Sequence, residues 1–470
     1  MFSRRSTLLA CLLTLTLVPL TGAAGHAATI DGTVTVGRTR TGQHIDGFGF
    51  SEAFQRAALV HGLRGLSPAK QQDVVNLLFS PTQGTGASIL RLGIGSSTDT
   101  VYDHMPTIEP VSPGDPAAAP RYVWDGDDGG QVWLARQAKS FGVKRFYADA
   151  WSAPGFMKDN GTDTGGGTLC GLAGTSCSTG DWRTAYANYL VRYATFYGQE
   201  GIRITDLGFT NEPDWTAGYA SMRFTPAQAV EFVKVLGPIA TRAGVKLACC
   251  DAVGWSSARD YSAALTADPE AARWVSTHTG HSYGSPWLAP LPAGDRHTWM
   301  TEWSPNGSTW NENWDDGSGY DGMTVARNIH DTLTLGKANG YVYWLGASAG
   351  ATRALIQLDG DAYHVSARLW AFAAYSRFIR PDAQSVAVTT DLPDLHVSAF
   401  MNLGGNRVLE VLNTGTVEHT VELAVGGGHE ISYLTDATHS LAPTDATTRT
   451  GNHVTARFAP RSLTTIVLQG

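Results

Sequence analysis

Two glutamates stand where a carboxylate is unfavourable unless it has a chemical use. Glu212 follows Asn211 at the end of one apolar run, and Glu302 precedes Trp303 at the end of another. A charged side chain at the end of a buried strand costs free energy unless it faces a polar cleft. Either glutamate alone could equally serve in a structural ion pair. Two glutamates in the same setting favour a pair of carboxylates that act together. One would transfer a proton, and the other would either attack the substrate or activate a water molecule.

Eight apolar runs must position these glutamates, and they alternate with amphipathic segments of helical length. Runs that are apolar nearly throughout are typical of parallel strands covered on both faces. The alternation predicts an α/β protein with a (β/α)8 TIM barrel over residues 45–380, and a doubly wound open sheet is the alternative. Glu212 ends the fourth run and Glu302 the seventh, so barrel closure would bring both to the C-terminal face of the strands. The runs are 45–50, 88–94, 144–151, 204–212, 246–251, 277–283, 297–303 and 341–345.

Helix boundaries can also be read between these runs. Thr225, with Gln228 three residues later, forms a capping-box pattern, and Pro226 takes the first helical position. The last helix of the barrel is expected over residues 364–378.

The pattern changes after that helix. Residues 381–470 alternate apolar and polar side chains, with glycines at the expected turns. This predicts an antiparallel β-sandwich side domain attached to the barrel. Residues 28–44 also alternate and are expected to add one or more strands to that domain.

The charge balance excludes some classes of partner. The chain of 470 residues carries 34 basic and 42 acidic side chains, a formal charge of -8. A net negative field disfavours nucleic acid and anionic membrane as partners, although a local basic pocket is compatible with it. The 14 Trp and 16 Tyr are many for a chain with 16% charged residues. Their side chains combine a flat apolar face with a polar tip, so this excess calls for a functional explanation.

The N-terminus has the order of a secretory signal peptide. Arg4 and Arg5 precede an apolar run at 8–20, and small residues follow to about residue 27. Ser3 and the two arginines resemble a twin-arginine signal, although an ordinary Sec signal carries similar residues. Residues 1–27 are therefore expected to be removed from a bacterial protein that is secreted to the extracellular space.

Four cysteines stay in the chain once Cys11 leaves with the signal. Cys170 and Cys177 bracket a flexible stretch and predict a disulfide that staples a loop. Cys249 and Cys250 are adjacent, so they form a vicinal ring or stay as two buried thiols. Neither pair has the spacing of a metal site, and we expect no metal and no organic cofactor.

Four motifs appear in an order that resembles glycoside hydrolase family 30. Asn211-Glu212-Pro213 and the distant Glu302 are similar to the paired catalytic carboxylates of the wider clan of retaining (β/α)8 glycoside hydrolases. The sequence around the first strand most resembles that of the xylanase subfamily 7, of the glucuronoxylanase or xylobiohydrolase type. The resemblance covers the barrel and the side domain. Besides residues 211–213, its segments are 45–50, 90–96 and 151–158, and residues 47–56 carry the likeness to the subfamily.

This resemblance implies a hydrolase that cleaves β-1,4-xylosidic bonds of (glucurono)xylan with retention. Glu212 would be the general acid/base and Glu302 the nucleophile, and retention requires carboxyl groups roughly 5 to 5.5 Å apart. Arg91 would supply the positive charge that keeps Glu302 ionised, and Asn211 would bond the sugar 2-OH. A plant cell-wall polysaccharide, xylan or a related hemicellulose, is the expected partner of a monomeric enzyme.

Several further residues at predicted strand ends are candidates for binding sugar. Aromatic faces there would stack on pyranose rings. His281 is placed to bond either the substrate or one of the glutamates. Arg56 would bind an acidic branch such as glucuronic acid, or else order its own loop. The aromatic candidates are Trp151, Trp215, Trp255, Tyr283, Trp303 and Trp344.

Other functions fit parts of the sequence. Residues 346–350 match the GxSxG pattern of a serine hydrolase, but the Gly- and Asp-containing stretch after them does not predict the helix that a nucleophile elbow needs. A non-catalytic carbohydrate-binding protein would use the same aromatic residues without needing both glutamates. Within family 30, endo-β-1,6-galactanase, β-glucosidase and glucosylceramidase activities share the same machinery, because loops set the subsites.

Overall fold

A closed barrel of eight parallel strands forms the larger part of the computed structural model, which describes Met1 and residues 29–285 and 289–469. The expected signal segment at 1–27 lies, apart from Met1, outside the described residues. The first strand, β1 (Gly32–His44), belongs to the side domain. The barrel strands follow as β2 (Gly47–Ser51), β3 (Ile89–Ile94), β4 (Arg145–Ala150), β5 (Asp206–Leu207), β6 (Lys246–Ala252), β7 (Val275–His281), β8 (His297–Glu302) and β9 (Gly340–Leu345).

Pairing of β2 with β9 closes the barrel, so the predicted barrel is confirmed and the open sheet is excluded. The strands are buried nearly throughout because helices cover the outside and side chains fill the inside. Tyr147, Ala248 and Trp299 form one packed layer of that interior. Trp299 also donates from its indole nitrogen to Asp46 at 2.7 Å, which satisfies its polar atom near the N-terminal end of the strands.

Nine α-helices among the described residues connect these strands and cover the barrel. The capping box at Thr225 and Gln228 is present. The last helix begins at Ala367 instead of residue 364, because residues 362–365 form a strand. The helices are α1 (Arg56–Val60), α2 (Pro68–Phe79), α3 (Gln131–Ser140), α4 (Arg183–Gln199), α5 (Pro226–Arg242), α6 (Trp255–Ala267), α7 (Pro269–Ala272), α8 (Gly322–Thr334) and α9 (Ala367–Phe378). None of these described helices is long and apolar enough to cross a membrane.

The segment that matched GxSxG lies in a small sheet after the barrel's last strand. This sheet contains β10 (Ala347–Ala349), β11 (Ile356–Asp359) and β12 (Ala362–Val365). Ser348 is buried in β10, and the chain continues from there into turns and β11. A nucleophile elbow needs a helix directly after an exposed serine, so this serine does not have that geometry.

The side domain is built from β1 and the C-terminal strands. Their pairing runs β18-β17-β21-β15-β14-β13-β1-β16-β20-β19, and β1 is antiparallel to β13 and parallel to β16. Alternate side chains of these strands form a second apolar core. The strands are β13 (Gln384–Thr390), β14 (Leu395–Met401), β15 (Arg407–Asn413), β16 (His419–Ala424), β17 (His429–Thr435), β18 (Ala442–Thr444), β19 (Thr447–Thr450), β20 (His453–Phe458) and β21 (Ser462–Gln469).

The described cysteines form two disulfides. One joins Cys170 to Cys177 in the loop between β4 and α4. The other joins the neighbours Cys249 and Cys250 in β6, so the structure contains the vicinal ring instead of two buried thiols.

The side domain packs against α8 and α9 of the barrel. Arg461 donates from two guanidinium nitrogens to Asp315, each at 2.5 Å.

The fully buried Glu410 of β15 lies in the same region, near Tyr375 of α9. It accepts one hydrogen bond, from the Thr465 hydroxyl at 2.7 Å, and its Oε1 has no partner among the described residues. Burial raises the pKa of Glu410 well above its ordinary value, which favours the protonated, neutral form of this side chain.

We predict that Glu410→Gln removes a pH-dependent loss of stability. An acid whose folded pKa is raised binds its proton more tightly in the folded chain, so wild-type stability falls as pH rises from about 4.3 toward the folded pKa. That loss amounts to at most about 1.4 kcal/mol per pH unit. Urea unfolding at several pH values should show the wild-type free energy of unfolding falling relative to that of the variant. Glu418→Gln, at an exposed glutamate, is the control, and equal pH slopes in all three proteins would contradict the prediction.

Candidate active site

A cleft of about 540 Å³ opens at the C-terminal ends of the barrel strands, and both Glu212 and Glu302 line it. Five other sequence candidates line the same cleft: Trp151, Tyr283, Trp344, Arg56 and Trp215. Arg91, Asn211 and His281 are buried directly behind it. Trp255 and Trp303 are not among the lining residues, because Trp255 is buried in the core and Trp303 packs against the edge of that core.

Glu302 ends β8 with both carboxylate oxygens facing donors. Arg91 donates to Oε2 at 2.5 Å, and the Tyr283 hydroxyl donates to Oε1 at 3.1 Å. Burial raises the pKa of Glu302, while the positive charges of His281 and Arg91 act in the opposite direction. Two donors on two oxygens are the pattern expected of a group that works as a carboxylate.

Arg91 of β3 makes four hydrogen bonds in the centre of the site. Besides its bond to Glu302, one nitrogen donates to Asp149 at 2.8 Å, to Asp251 at 2.9 Å and to Asn211 Oδ1 at 2.6 Å. The guanidinium is fully buried. The neighbouring carboxylates, chiefly Asp251 and then Glu302, outweigh its desolvation and raise its pKa.

The acids Asp149 and Asp251 were missed by the sequence reasoning. Burial and the neighbouring Asp251 charge raise the pKa of Asp149. Burial acts the same way on Asp251, but the Arg91 charge outweighs it, and the pKa of Asp251 is lowered. Asp251 also accepts from the Tyr147 and Thr301 hydroxyls, each at 2.7 Å. The signal was available, because both acids interrupt otherwise apolar runs of the sequence.

Glu212 lies just after the fourth strand in a left-handed backbone conformation, with φ of 47°. Its backbone N–H donates to the carbonyl oxygen of Asp251 at 2.8 Å, which ties the loop to β6. Its Oε1 lies 3.2 Å from His281 Nδ1, and its Oε2 accepts from the Tyr219 hydroxyl at 3.2 Å. Tyr219 is another residue that the sequence did not single out.

His281 holds a glutamate, which is one of its two predicted roles. It is fully buried at the end of β7. Burial alone would lower the pKa of His281, but the negative charges of Glu302 and Asp251 and the hydrogen bond to Glu212 raise it to about 10. The ring is therefore an imidazolium near neutral pH, and it donates to Glu212.

Glu212, His281 and Glu302 also offer donor atoms that all lie within 4.8 Å of one another, the spacing of a metal site. A metal would need a neutral imidazole with a free lone pair. The raised pKa of His281 works against that state. A protonated ring therefore fits a hydrogen bond to Glu212 better than a metal centre.

The aromatic wall of the cleft consists of three packed rings. Phe54 meets Trp151 edge-on at 5.3 Å between ring centroids, and Trp151 lies 5.7 Å from Trp344. The Arg91 guanidinium lies 4.4 Å from the Trp151 ring centroid, so a cation–π contact joins this wall to the charged residues around Arg91. Trp215 stands apart at the rim with 53% of its surface exposed.

Arginines are grouped at one edge of the cleft. Arg56 forms an ion pair with Asp103 and donates to the Phe54 carbonyl oxygen at 2.6 Å. Burial lowers the pKa of Arg56, and the nearby charges of Arg353 and Arg64 lower it further. The Arg353 side chain lines the cleft and makes no hydrogen bond or ion pair with the described residues.

Comparison with known proteins defines the class. Residues 45–289 match the glycosyl hydrolase family 30 TIM-barrel domain, and residues 382–466 match the glycosyl hydrolase family 30 beta sandwich domain. Together with the barrel and side domain, these matches define a glycoside hydrolase. The chain belongs to glycosyl hydrolase family 30, as its motifs predicted.

Three relatives illustrate the range of this family. The catalytic domain of GH30 xylanase C from Talaromyces cellulolyticus is 38% identical, covers 93% of this chain and 100% of its own, and superposes with a TM-score of 0.87. Lysosomal acid glucosylceramidase from Mus musculus is 26% identical over 81% of this chain and 79% of its own. Glucuronoxylanase XynC from Bacillus subtilis strain 168 is 25% identical over 60% of this chain and 66% of its own.

We predict that Arg91→Ala destabilises the protein strongly. Removing the guanidinium leaves the buried side chains of Glu302, Asp149 and Asp251 without the positive charge and the hydrogen-bond donor that they share. Breaking a buried ion pair in this way costs about 3 to 5 kcal/mol. Urea unfolding measures the loss. The control is Arg136→Ala, which removes an ion pair between an arginine with a 55% exposed side chain and Glu200, and which should cost about 0 to 1 kcal/mol. Equal losses in the two variants would contradict the central role of Arg91.

Proposed function

We propose that this protein is a secreted retaining glycoside hydrolase that cleaves β-1,4-xylosidic bonds of glucuronoxylan by double displacement. The observation that carries the proposal is the short distance between its two carboxylates, since an oxygen of Glu212 lies within 4.8 Å of an oxygen of Glu302. Retaining enzymes place the two groups roughly 5 to 5.5 Å apart, whereas inverting enzymes need about 6.5 to 9.5 Å to admit a water. The short separation supports direct attack by one carboxylate.

In the first step, an oxygen of Glu302 attacks the anomeric carbon as the bond to the glycosidic oxygen breaks. Glu212 gives its proton to that oxygen, so the leaving chain departs as an alcohol and the sugar is bound to Glu302 as an ester. The Arg91 and Tyr283 donors stabilise the Glu302 carboxylate before attack and again when it is released.

In the second step, Glu212 is a carboxylate and removes a proton from water. The resulting hydroxide attacks the anomeric carbon from the face that the leaving chain vacated, and Glu302 leaves with its electron pair. Two inversions give overall retention. His281 donates to Glu212 throughout, which holds the acid/base in place for both steps.

Xylan is favoured as the substrate by the relatives. The xylanase from Talaromyces cellulolyticus shares 38% identity over nearly the whole described chain, well above the 26% of the glucosylceramidase. The aromatic wall suits a chain of pyranose rings, because flat rings stack on apolar sugar faces.

The arginines at the cleft edge favour a substrate with acidic branches. The sequence left two roles open for Arg56, and its ion pair with Asp103 favours the loop-ordering role. Arg353 keeps its donors free of protein partners within the described part of the chain and faces the same cleft. A guanidinium with free donors makes paired bonds to a carboxylate, so we assign Arg353 to the uronic acid carboxylate.

Export is part of the proposal. It rests on the sequence of residues 1–27, with its basic start and short apolar run. The Cys170–Cys177 disulfide supports an oxidising compartment.

A substrate panel tests the proposed activity and the role of Arg353 together. The wild type should release xylo-oligosaccharides from glucuronoxylan faster than from arabinoxylan, and should release little from β-1,6-galactan or β-1,6-glucan. Arg353→Ala should lower kcat/KM on glucuronoxylan by about tenfold or more, the worth of one charge-assisted hydrogen bond, and should leave rates on unbranched xylo-oligosaccharides nearly unchanged.

Two controls make the panel decisive. Glu302→Gln should abolish release from every substrate, which separates an enzyme from a sugar-binding protein. Arg121→Ala, at an exposed arginine that is not among the cleft-lining residues, should match the wild type on all substrates. Preferred cleavage of a β-1,6-linked polymer would overturn the xylan assignment, and an equal effect of Arg353→Ala on branched and unbranched chains would overturn the carboxylate assignment.

A further inference from the structure

Tyr219 occupies a position beside the acid/base that neither the motifs nor the family assignment explains. It lies in the loop after Glu212, and its hydroxyl donates to Glu212 Oε2 at 3.2 Å. Its ring lines the cleft, with 46% of the residue exposed. A side chain this exposed contributes little to the core, so its contact with Glu212 calls for a functional explanation.

Neighbouring residues fix the loop that carries Tyr219. Ser221 Oγ accepts from the Ala217 N–H at 3.2 Å and donates to the Ala217 carbonyl oxygen at 3.0 Å, which closes the loop on itself. The buried Lys158 donates to the Ser221 carbonyl oxygen at 2.8 Å and ties the loop to the segment after β4. The Tyr219 ring also packs edge-on against Phe54, with centroids 6.1 Å apart. The hydroxyl is therefore held at Glu212 by the fold.

The two oxygens of Glu212 face different kinds of partner. Oε1 faces His281, whose protonated ring can only donate, so a proton on Oε1 would meet another proton. Oε2 faces Tyr219, whose hydroxyl can donate to a carboxylate or accept from a carboxylic acid. The transferable proton therefore belongs on Oε2.

We propose that Tyr219 is a positioning residue that directs the proton of Glu212 to Oε2 and stabilises that oxygen whenever it is ionised. The inference rests on the proposed function, because it concerns the acid/base step of that reaction. The hydroxyl accepts from Oε2–H before the first step and donates to the ionised Oε2 before the second. The glycosidic oxygen and then the water approach the same oxygen from the open side of the cleft.

The pH profile of kcat/KM tests this role with Tyr219→Phe. Loss of the hydroxyl removes a bond from both forms of Glu212, but the charge-assisted bond to the ionised form is the stronger. The ionised form therefore becomes less favourable, and the proton is retained to higher pH. We expect the alkaline limb to move upward by about 0.5 to 1 pH unit, since water replaces part of the lost bond at this half-exposed site. The acidic limb should stay in place.

Tyr283→Phe is the matched comparison, because it removes the same hydroxyl from the other carboxylate. It should raise the acidic limb, which follows Glu302, and leave the alkaline limb unchanged. An alkaline limb of Tyr219→Phe that coincides with the wild type, or that moves to lower pH, would overturn the proposal.

A measurement without turnover keeps the two proposals separate. In protein labelled with 13C at glutamate carboxyl carbons, the Glu212 signal is identified by its loss in Glu212→Gln, and its titration is followed in the wild type and Tyr219→Phe. An upward shift of the Glu212 titration in the variant supports the role of Tyr219 even if the enzyme cleaves no xylan. Absence of xylan cleavage would overturn only the substrate assignment. Identical titration curves would overturn the role of Tyr219 even in an active xylanase.

Discussion

The buried guanidinium of Arg91 is the interaction on which the site depends. It carries one positive charge among Glu302, Asp149 and Asp251, and it also bonds Asn211. Desolvating an arginine is expensive, and the cost is offset only when nearby charges and acceptors are well placed. Here the acceptors come from the ends of different barrel strands. They meet around Arg91 only when the barrel is closed, and their bonds to Arg91 in turn link those strands. Glu302, the proposed nucleophile, is thereby held on a rigid strand instead of on a loop.

Glu212, the proposed acid/base, depends on the same cluster indirectly. Asp251 bonds Arg91 through its carboxylate and accepts from the Glu212 backbone N–H through its carbonyl oxygen. His281 completes the link, because its charge lies between Glu302 and Glu212. The spacing of the two glutamates is thus a property of the barrel, while the proposed substrate preference depends on residues at the rim. Trp215, Tyr219 and Arg353 lie on connecting segments there, and such segments vary most easily between relatives.

The sequence could predict the barrel because its strands are read from local composition. Apolar runs marked all eight strands, including the fourth, which shrinks to Asp206–Leu207 in the structure. The glutamates at the ends of two of these runs were found for the same reason. Local reasoning was less reliable for aromatic residues, since Trp255 lies in the same kind of position as Trp151 yet faces the core.

What the sequence could not predict depends on contacts across long separations. Tyr219 reaches Glu212 from a loop that Lys158 and Ser221 hold in place, and no local pattern encodes that packing. Arg353 was not singled out, because its place in the cleft, like the ion pair between Arg56 and Asp103, is visible only in three dimensions. Asp149 and Asp251 could have been found, since an acid within an apolar strand needs a buried partner.

The claim that Glu302 is a nucleophile held on the barrel by Arg91 is tested most directly by trapping the covalent intermediate. A 2-deoxy-2-fluoro-xylobioside with a dinitrophenyl leaving group should form an ester that hydrolyses slowly, because the fluorine disfavours the oxocarbenium-like transition state. Intact-protein mass spectrometry should then show one added fluoroglycosyl group, and peptide mapping should place it on Glu302. A label on any other residue, or steady turnover of the reagent with no adduct, would contradict the proposed double displacement.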